Sequence, residues 1–207
     1  MRTIILLFLC ASVVALLIAP VLMPASYDWI AHTTSESGAQ GIDGAWLVRT
    51  GFVLYGVAVL LLAASKKDWN RLARWIHAIF GLSMIGNAVF SSKPWLTELP
   101  FDALEDTLED TLHSWMSGLV GTAFTVGVLV AFFLRGKSGW FSKPFDSVAI
   151  LTSIIITVIM FSGDEGFTGL IQRIMFAVSY LWYAKEGYAK EAPPTGWATA
   201  SNLRNSH

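Results

Sequence analysis

The chain has 207 residues, 54% of them hydrophobic and only 14% charged, whereas a soluble domain carries about a quarter charged residues. Its mean hydropathy is +0.56, and a net charge of -1 provides no basic surface for nucleic acid. There is no phosphate-cradling glycine loop, Cys-x-x-Cys pair, haem attachment site or nucleophile elbow, which argues against ATP-driven chemistry.

The first apolar stretch, Ile4–Met23, is about the ~20 residues that a bilayer-crossing helix needs. The sequence Met23-Pro24-Ala25 lacks the small-x-small pair of a cleavage site, so the stretch reads as a retained anchor and not as a signal peptide. Cys10, the single cysteine, reads as apolar filling in this helix. The second and third spans are Ala45–Ser65 and Arg71–Phe90. In the segment that follows, Asp102 and Glu105 stand at capping-box spacing after Pro100 and predict a helix start. A tandem Glu-Asp-Thr-Leu repeat at 105–108 and 109–112 aligns Leu104, Leu108 and Leu112, on a helix that lies on the membrane surface or runs into the fourth span, Leu112–Leu134. The fifth span, Ser147–Ser162, has the branched composition of a buried strand, but a lone open strand cannot satisfy its backbone in lipid. The sixth is Phe167–Tyr183. The expectation is an all-α, polytopic membrane helix bundle with about six transmembrane helices, residues 1–190 forming one domain. The remainder, 191–207, carries Pro193, Pro194 and small polar residues and reads as a disordered tail.

Charge orients the spans. Lys66, Lys67, Arg71 and Arg74 lie between the second and third, Arg135, Lys137 and Lys143 between the fourth and fifth, and Lys185, Lys190 and Arg204 after the sixth. The other connections are acidic, with Asp28, Glu36 and Asp43, then Glu98 through Asp110, then Asp164 and Glu165. Since lysine and arginine stay on the cytoplasmic side, both termini are expected inside a prokaryotic cytoplasmic membrane. Trp46, Trp69, Trp75, Trp95, Trp115, Trp140 and Trp182 fall near span ends, as an aromatic belt would.

With this orientation several polar residues share the outer depth. His32, Ser35 and Glu36 precede the second span and Arg49 lies one turn inside it; Asn87 is near the end of the third. Asp110, His113 and Ser117 share a face of the fourth, at i, i+3 and i+7. Asp164 and Glu165 form the last outer turn, with Arg173 about two turns below. Ionisable groups within spans are costly and point into the bundle or a wet cavity. Each also has a packing role open to it: Arg173 pairing with Asp164, Glu165 or Glu36, Arg49 snorkelling to headgroups, Asn87 bonding between helices, Asp110 complementing a helix dipole. His77, on the inner side, reads as structural.

Three stretches, Ser35-Glu36-Ser37-Gly38-Ala39, Asp110-Thr-Leu-His113 and Gly169-Leu-Ile-Gln-Arg173, together with the six-span layout, resemble the DUF998 family of bacterial and archaeal membrane proteins. The resemblance covers the chain to about Tyr188 and implies the fold; the family name carries no established activity. Ser37 stands where members usually have leucine. The Ser, Asp and His set is also similar to that of the alkaline ceramidase and adiponectin-receptor superfamily, seven-span proteins that hydrolyse lipid amides with zinc. This chain lacks that superfamily's His-x-x-x-His, leaving His32, Asp110 and His113 as candidate metal ligands.

Three functions follow as expectations. The first is a cavity that binds a lipid headgroup or small polar ligand through His32, Ser35, Glu36, Arg49, Asn87, Asp164 and Arg173, the arginines gripping phosphate or carboxylate. The second is a lipid hydrolase, zinc-dependent or not, with Asp110 and His113 as acid/base pair. The third is a structural or assembly subunit whose polar groups only fix helix packing.

Overall fold

The computed structural model describes residues 1–95, 107–134, 143–160 and 165–189. The expected cap at Asp102 and Glu105, the turn residue Asp164, Trp140 and the tail lie outside them. Among the described residues the chain is helical, without strands: α1 (Arg2–Ile18, continued by the 3-10 turn Ala19–Leu22), α2 (Ala45–Ser65), α3 (Arg71–Val89), α4 (Leu108–Leu134), α5 (Lys143–Met160) and α6 (Thr168–Tyr188). The first five are long and apolar enough to cross a membrane. The sixth matches them in length, at 21 residues, but carries Arg173 near its start and Lys185 and Glu186 near its end.

Each helix packs on the next in chain order, and α6 returns to α1, which closes a ring. Hydrogen bonds join residues 23–44 to the start of α2 through Arg49 and Gly38, to the start of α4 through Gln40 and Thr107, and to the start of α6 through Ala31 and Gly169. The bundle therefore has a loop-rich end, holding residues 23–44 and the starts of α2, α4 and α6, and a lysine end opposite. Phe80, Phe124, Trp182 and Tyr183 fill the interior, and Tyr55 stacks on Tyr180 with ring centroids 4.0 Å apart. Buried phenols need polar partners. Tyr55 donates to Ser179 Oγ at 2.7 Å, and Tyr183 Oη lies 2.9 Å from His77 Nδ1. The His77 ring stacks with Trp69 and Trp182, and Gly127 of α4 leaves room for it; a Cβ there would come within 2.5 Å of His77 Cε1.

Polar residues extend two helices beyond the apolar runs. Helix α5 starts at Lys143, with Pro144 in its first turn, because Asp146 is fully buried and accepts from Trp182 Nε1 at 2.8 Å and from Lys185 Nζ at 2.9 Å. Helix α6 runs on to Tyr188 because Lys185 also meets Glu186 at 2.9 Å, while Lys66 Nζ donates to the Glu186 carbonyl at 3.0 Å. Nearby, Arg74 donates to the carbonyls of Ala63 and Ala64, covering the end of α2. Helix α4 begins at Leu108 instead of Leu112, as Thr107 Oγ1 accepts the Asp110 N–H at 3.1 Å.

The perimeter is apolar. Val148, Leu151, Ile155 and Val158 of α5 and Leu17 and Val21 next to α2 are exposed, as is Cys10 on the outer face of α1. Trp46, Trp75 and Trp115 are exposed in keeping with an aromatic belt, whereas Trp69 and Trp182 are core residues against His77.

Candidate functional site

The loop-rich end is held by the residues of the three sequence stretches. In the first, Thr33 and Glu36 form a reciprocal capping box. Thr33 donates through its Oγ1 to Glu36 Oε2 at 2.8 Å, and the Glu36 N–H returns to Thr33 Oγ1 at 3.1 Å. The Ser37 hydroxyl donates to the Thr34 carbonyl at 2.7 Å, and Arg49 donates to the carbonyls of Gly38 and Ala39 at 3.1 and 3.2 Å. Ser35 contributes its carbonyl to Ser92 Oγ at 3.2 Å.

In the second stretch Asp110 and His113 meet the segment that follows α3, as does Glu109 just before them. Asp110 Oδ1 accepts the Lys93 N–H at 2.7 Å, Glu109 accepts the Ser91 N–H at 2.8 Å, and His113 Nδ1 donates to the Phe90 carbonyl at 2.8 Å. One turn further, Ser117 donates to Asn87 Oδ1 at 3.1 Å.

The third stretch docks the start of α6 against the 27–34 loop. Gly169 and Leu170 donate their N–H groups to the carbonyls of Ala31 and Ile30, satisfying two of the free donors at a helix start. Arg173 donates to the carbonyls of Trp29 and His32 at 2.7 and 2.9 Å and to the Tyr27 hydroxyl, and its guanidinium lies 5.8 Å from the Trp29 ring. Gln172 Oε1 accepts the Thr34 N–H at 2.7 Å.

These contacts answer what the two intramembrane arginines do. Both guanidiniums are directed at backbone carbonyls, and the Glu36 carboxylate goes to Thr33 instead of Arg173. His32 stacks on Trp95, ring centroids 5.1 Å apart, and its Nδ1 accepts the Asp28 N–H at 2.9 Å. Zinc needs three or four converging donors. Among the described residues no three His, Cys, Asp or Glu side chains gather at a spacing that could hold a metal ion, His32, Asp110 and His113 included. The described residues do not fit zinc.

Behind this end lies a cavity of about 550 Å³ bounded by α3, α4, α5 and α6. Its walls are mostly apolar, from Phe80 and Met84 of α3 to Met175 and Phe176 of α6. Ser35, Asn87, Ser117 and Gln172 gather at its upper end, and no charged residue lines it among the described residues. Gly118 and Gly121 of α4 face open space, since a Cβ at either would meet nothing within 4 Å. Val126 of α4 and Ile154 and Val158 of α5 line the cavity and are also exposed on the perimeter, so it opens sideways between these helices. Apart from Gln172, the lining residues that the sequence did not single out are apolar or small. The signal was the run Ser117, Gly118, Gly121, Thr122 and Thr125, which shares one face of α4.

The profile of a protein family of unknown function, DUF998, matches residues 6–185. The chain belongs to DUF998. The three stretches that carried the resemblance in the sequence all fall inside the matched region of this DUF998 protein, and all three clasp loops at the same end. No curated protein and no solved structure matches the chain.

Proposed function

We propose that this integral membrane protein takes up a chain-bearing amphiphile, a lipid of the surrounding bilayer, into the cavity between α3 and α6. The observation that carries the proposal is the cavity's composition: apolar walls, an opening lined by residues of the lipid-facing perimeter, and uncharged polar groups confined to one end. Ligand sites are mostly apolar with a few converging polar groups, commonly about 300–1,000 Å³. From Gln172 to Ser179 the wall runs down α6 for about 10 Å at ~1.5 Å per residue, a depth that suits an alkyl chain.

In this reading the termini are cytoplasmic and the membrane is that of a prokaryotic cell. The bases Lys66, Lys67, Arg71 and Arg74 all adjoin the lysine end, so the cavity's polar end faces outward. The loop clasps serve the cavity by fixing Ser35, Asn87 and Gln172 at its rim.

Native mass spectrometry of the detergent-purified protein beside Gly121→Leu tests the proposal. A leucine at 121 has room, since a Cβ there meets nothing within 4 Å, and would obstruct part of the cavity that Gly121 lines. The wild-type protein should retain a copurifying lipid that the variant loses. Equal lipid retention by both would overturn the reading.

A further inference from the structure

The polar end of the cavity presents amides of defined polarity. Thr34 meets Gln172 through its backbone N–H, which can only donate, so the Gln172 oxygen must face Thr34 and its NH2 group is turned away from it. Asn87 takes the Ser117 hydroxyl on its Oδ1, which likewise leaves Nδ2 for other acceptors. Both residues line the cavity. The rim thus offers amide donors, with both amide oxygens already engaged and, among the described residues, no charged side chain lining the same space.

We propose that Gln172 and Asn87 recognise the ester carbonyl of an uncharged acyl lipid, by donating from Gln172 Nε2 and Asn87 Nδ2. This inference rests on the lipid-binding reading above and adds the chemistry of the group that is held. Placement agrees with it. Gln172 is four residues from the start of α6, about 6 Å into the helix at ~1.5 Å per residue, and Asn87 sits in the last turn of α3. Acyl carbonyls lie at this depth, just below the headgroup layer of a hydrocarbon core about 30 Å thick. Charge agrees as well. No charged side chain among the described residues lines the cavity, and Arg49 and Arg173 are held on carbonyls of the loop, so neither is directed at a phosphate inside it.

The experiment compares dioleoylglycerol with its diether analogue, which keeps chains and hydroxyl but lacks both carbonyls, using the full-length protein in detergent. Gln172→Glu is the informative variant, because a carboxylate oxygen still accepts the Thr34 N–H while the second oxygen, now an acceptor, faces the cavity. Asn87→Asp repeats the logic on α3, and thermal unfolding of each variant verifies that it is folded. The wild-type protein should bind the ester at least tenfold more tightly than the diether. Either variant should cut ester binding about tenfold while leaving diether binding within about twofold. Equal binding of ester and diether by the wild-type protein would overturn the carbonyl assignment and leave the lipid-binding reading standing. Ester binding unchanged in both folded variants would overturn the roles of Gln172 and Asn87. Failure of either lipid to bind, with Gly121→Leu also without effect on copurified lipid, would remove the reading beneath it.

Discussion

Replacing Gly169 by alanine should detach the 27–34 loop from α6. The Cβ would fall inside the carbonyl oxygen of His32 and only 2.7 Å from that of Trp29, both backbone atoms that cannot rotate aside. Overpacking of this kind costs about 1–3 kcal/mol. If the loop retreats instead, the N–H bonds from Gly169 to Ala31 and from Leu170 to Ile30 are lost, each with a net value of about 1 kcal/mol. The two Arg173 bonds to the same loop weaken as well. A loss of about 3 kcal/mol follows, which at roughly 2–4 °C per kcal/mol for a chain of this size lowers the Tm by about 6–12 °C. The control is Gly121→Ala, whose Cβ meets nothing and gains helix propensity. Thermal unfolding of both variants in one detergent, with hydrogen exchange at Gly169 and Leu170, provides the assay. A Gly169→Ala protein that melts within about 1 °C of wild type, with those amides still protected, would refute the close-packed docking of α6.

Two further substitutions address the interior and the lysine end. Asp146→Asn removes the carboxylate from a buried pair with Lys185 and should cost about 3 kcal/mol, the low end for such breaks because Lys185 keeps Glu186; chemical denaturation measures it, and a change under about 1 kcal/mol would contradict it. Gly127→Ala drives a methyl into a His77 ring that is stacked with Trp69 and Trp182, and should cost about 1–3 kcal/mol with a shift in tryptophan emission.

The spans were legible because hydropathy over about twenty residues is a long-range average that few side chains can disturb; α2 occupies the expected residues without a shift. Where the structure departs from that average, a single polar contact is responsible. Thr107 starts α4 a turn early, Asp146 draws a polar first turn into α5, and Lys185 with Glu186 prolongs α6. Hydropathy scores all of these as loop. Trp69 and Trp182 were misplaced for a related reason: their positions near span ends suit a belt, but the buried His77 ring gives them a partner inside.

At the loop-rich end, the sequence identified Glu36, Arg49, Asp110, His113 and Arg173 as unusual residues without revealing their partners. Those partners are backbone carbonyls and N–H groups of residues such as Phe90, Lys93 and Ala39, and a backbone group has no sequence signature. The apolar body of the cavity, beyond the expected Ser35 and Asn87, escaped notice for the opposite reason. Its walls are the same Met, Phe, Ile and Val that fill any span, and only the small-residue face of α4 marks it.

Photo-crosslinking in intact membranes, with a lipid carrying a diazirine at mid-chain, tests the central claim most directly. The account predicts adducts on Thr122 and Thr125 of α4 and on Met175 and Phe176 of α6, lost in Gly121→Leu, beside general labelling of perimeter residues such as Leu17 and Val21. Labelling confined to the perimeter, with the cavity residues unmarked in the wild-type protein, would contradict it.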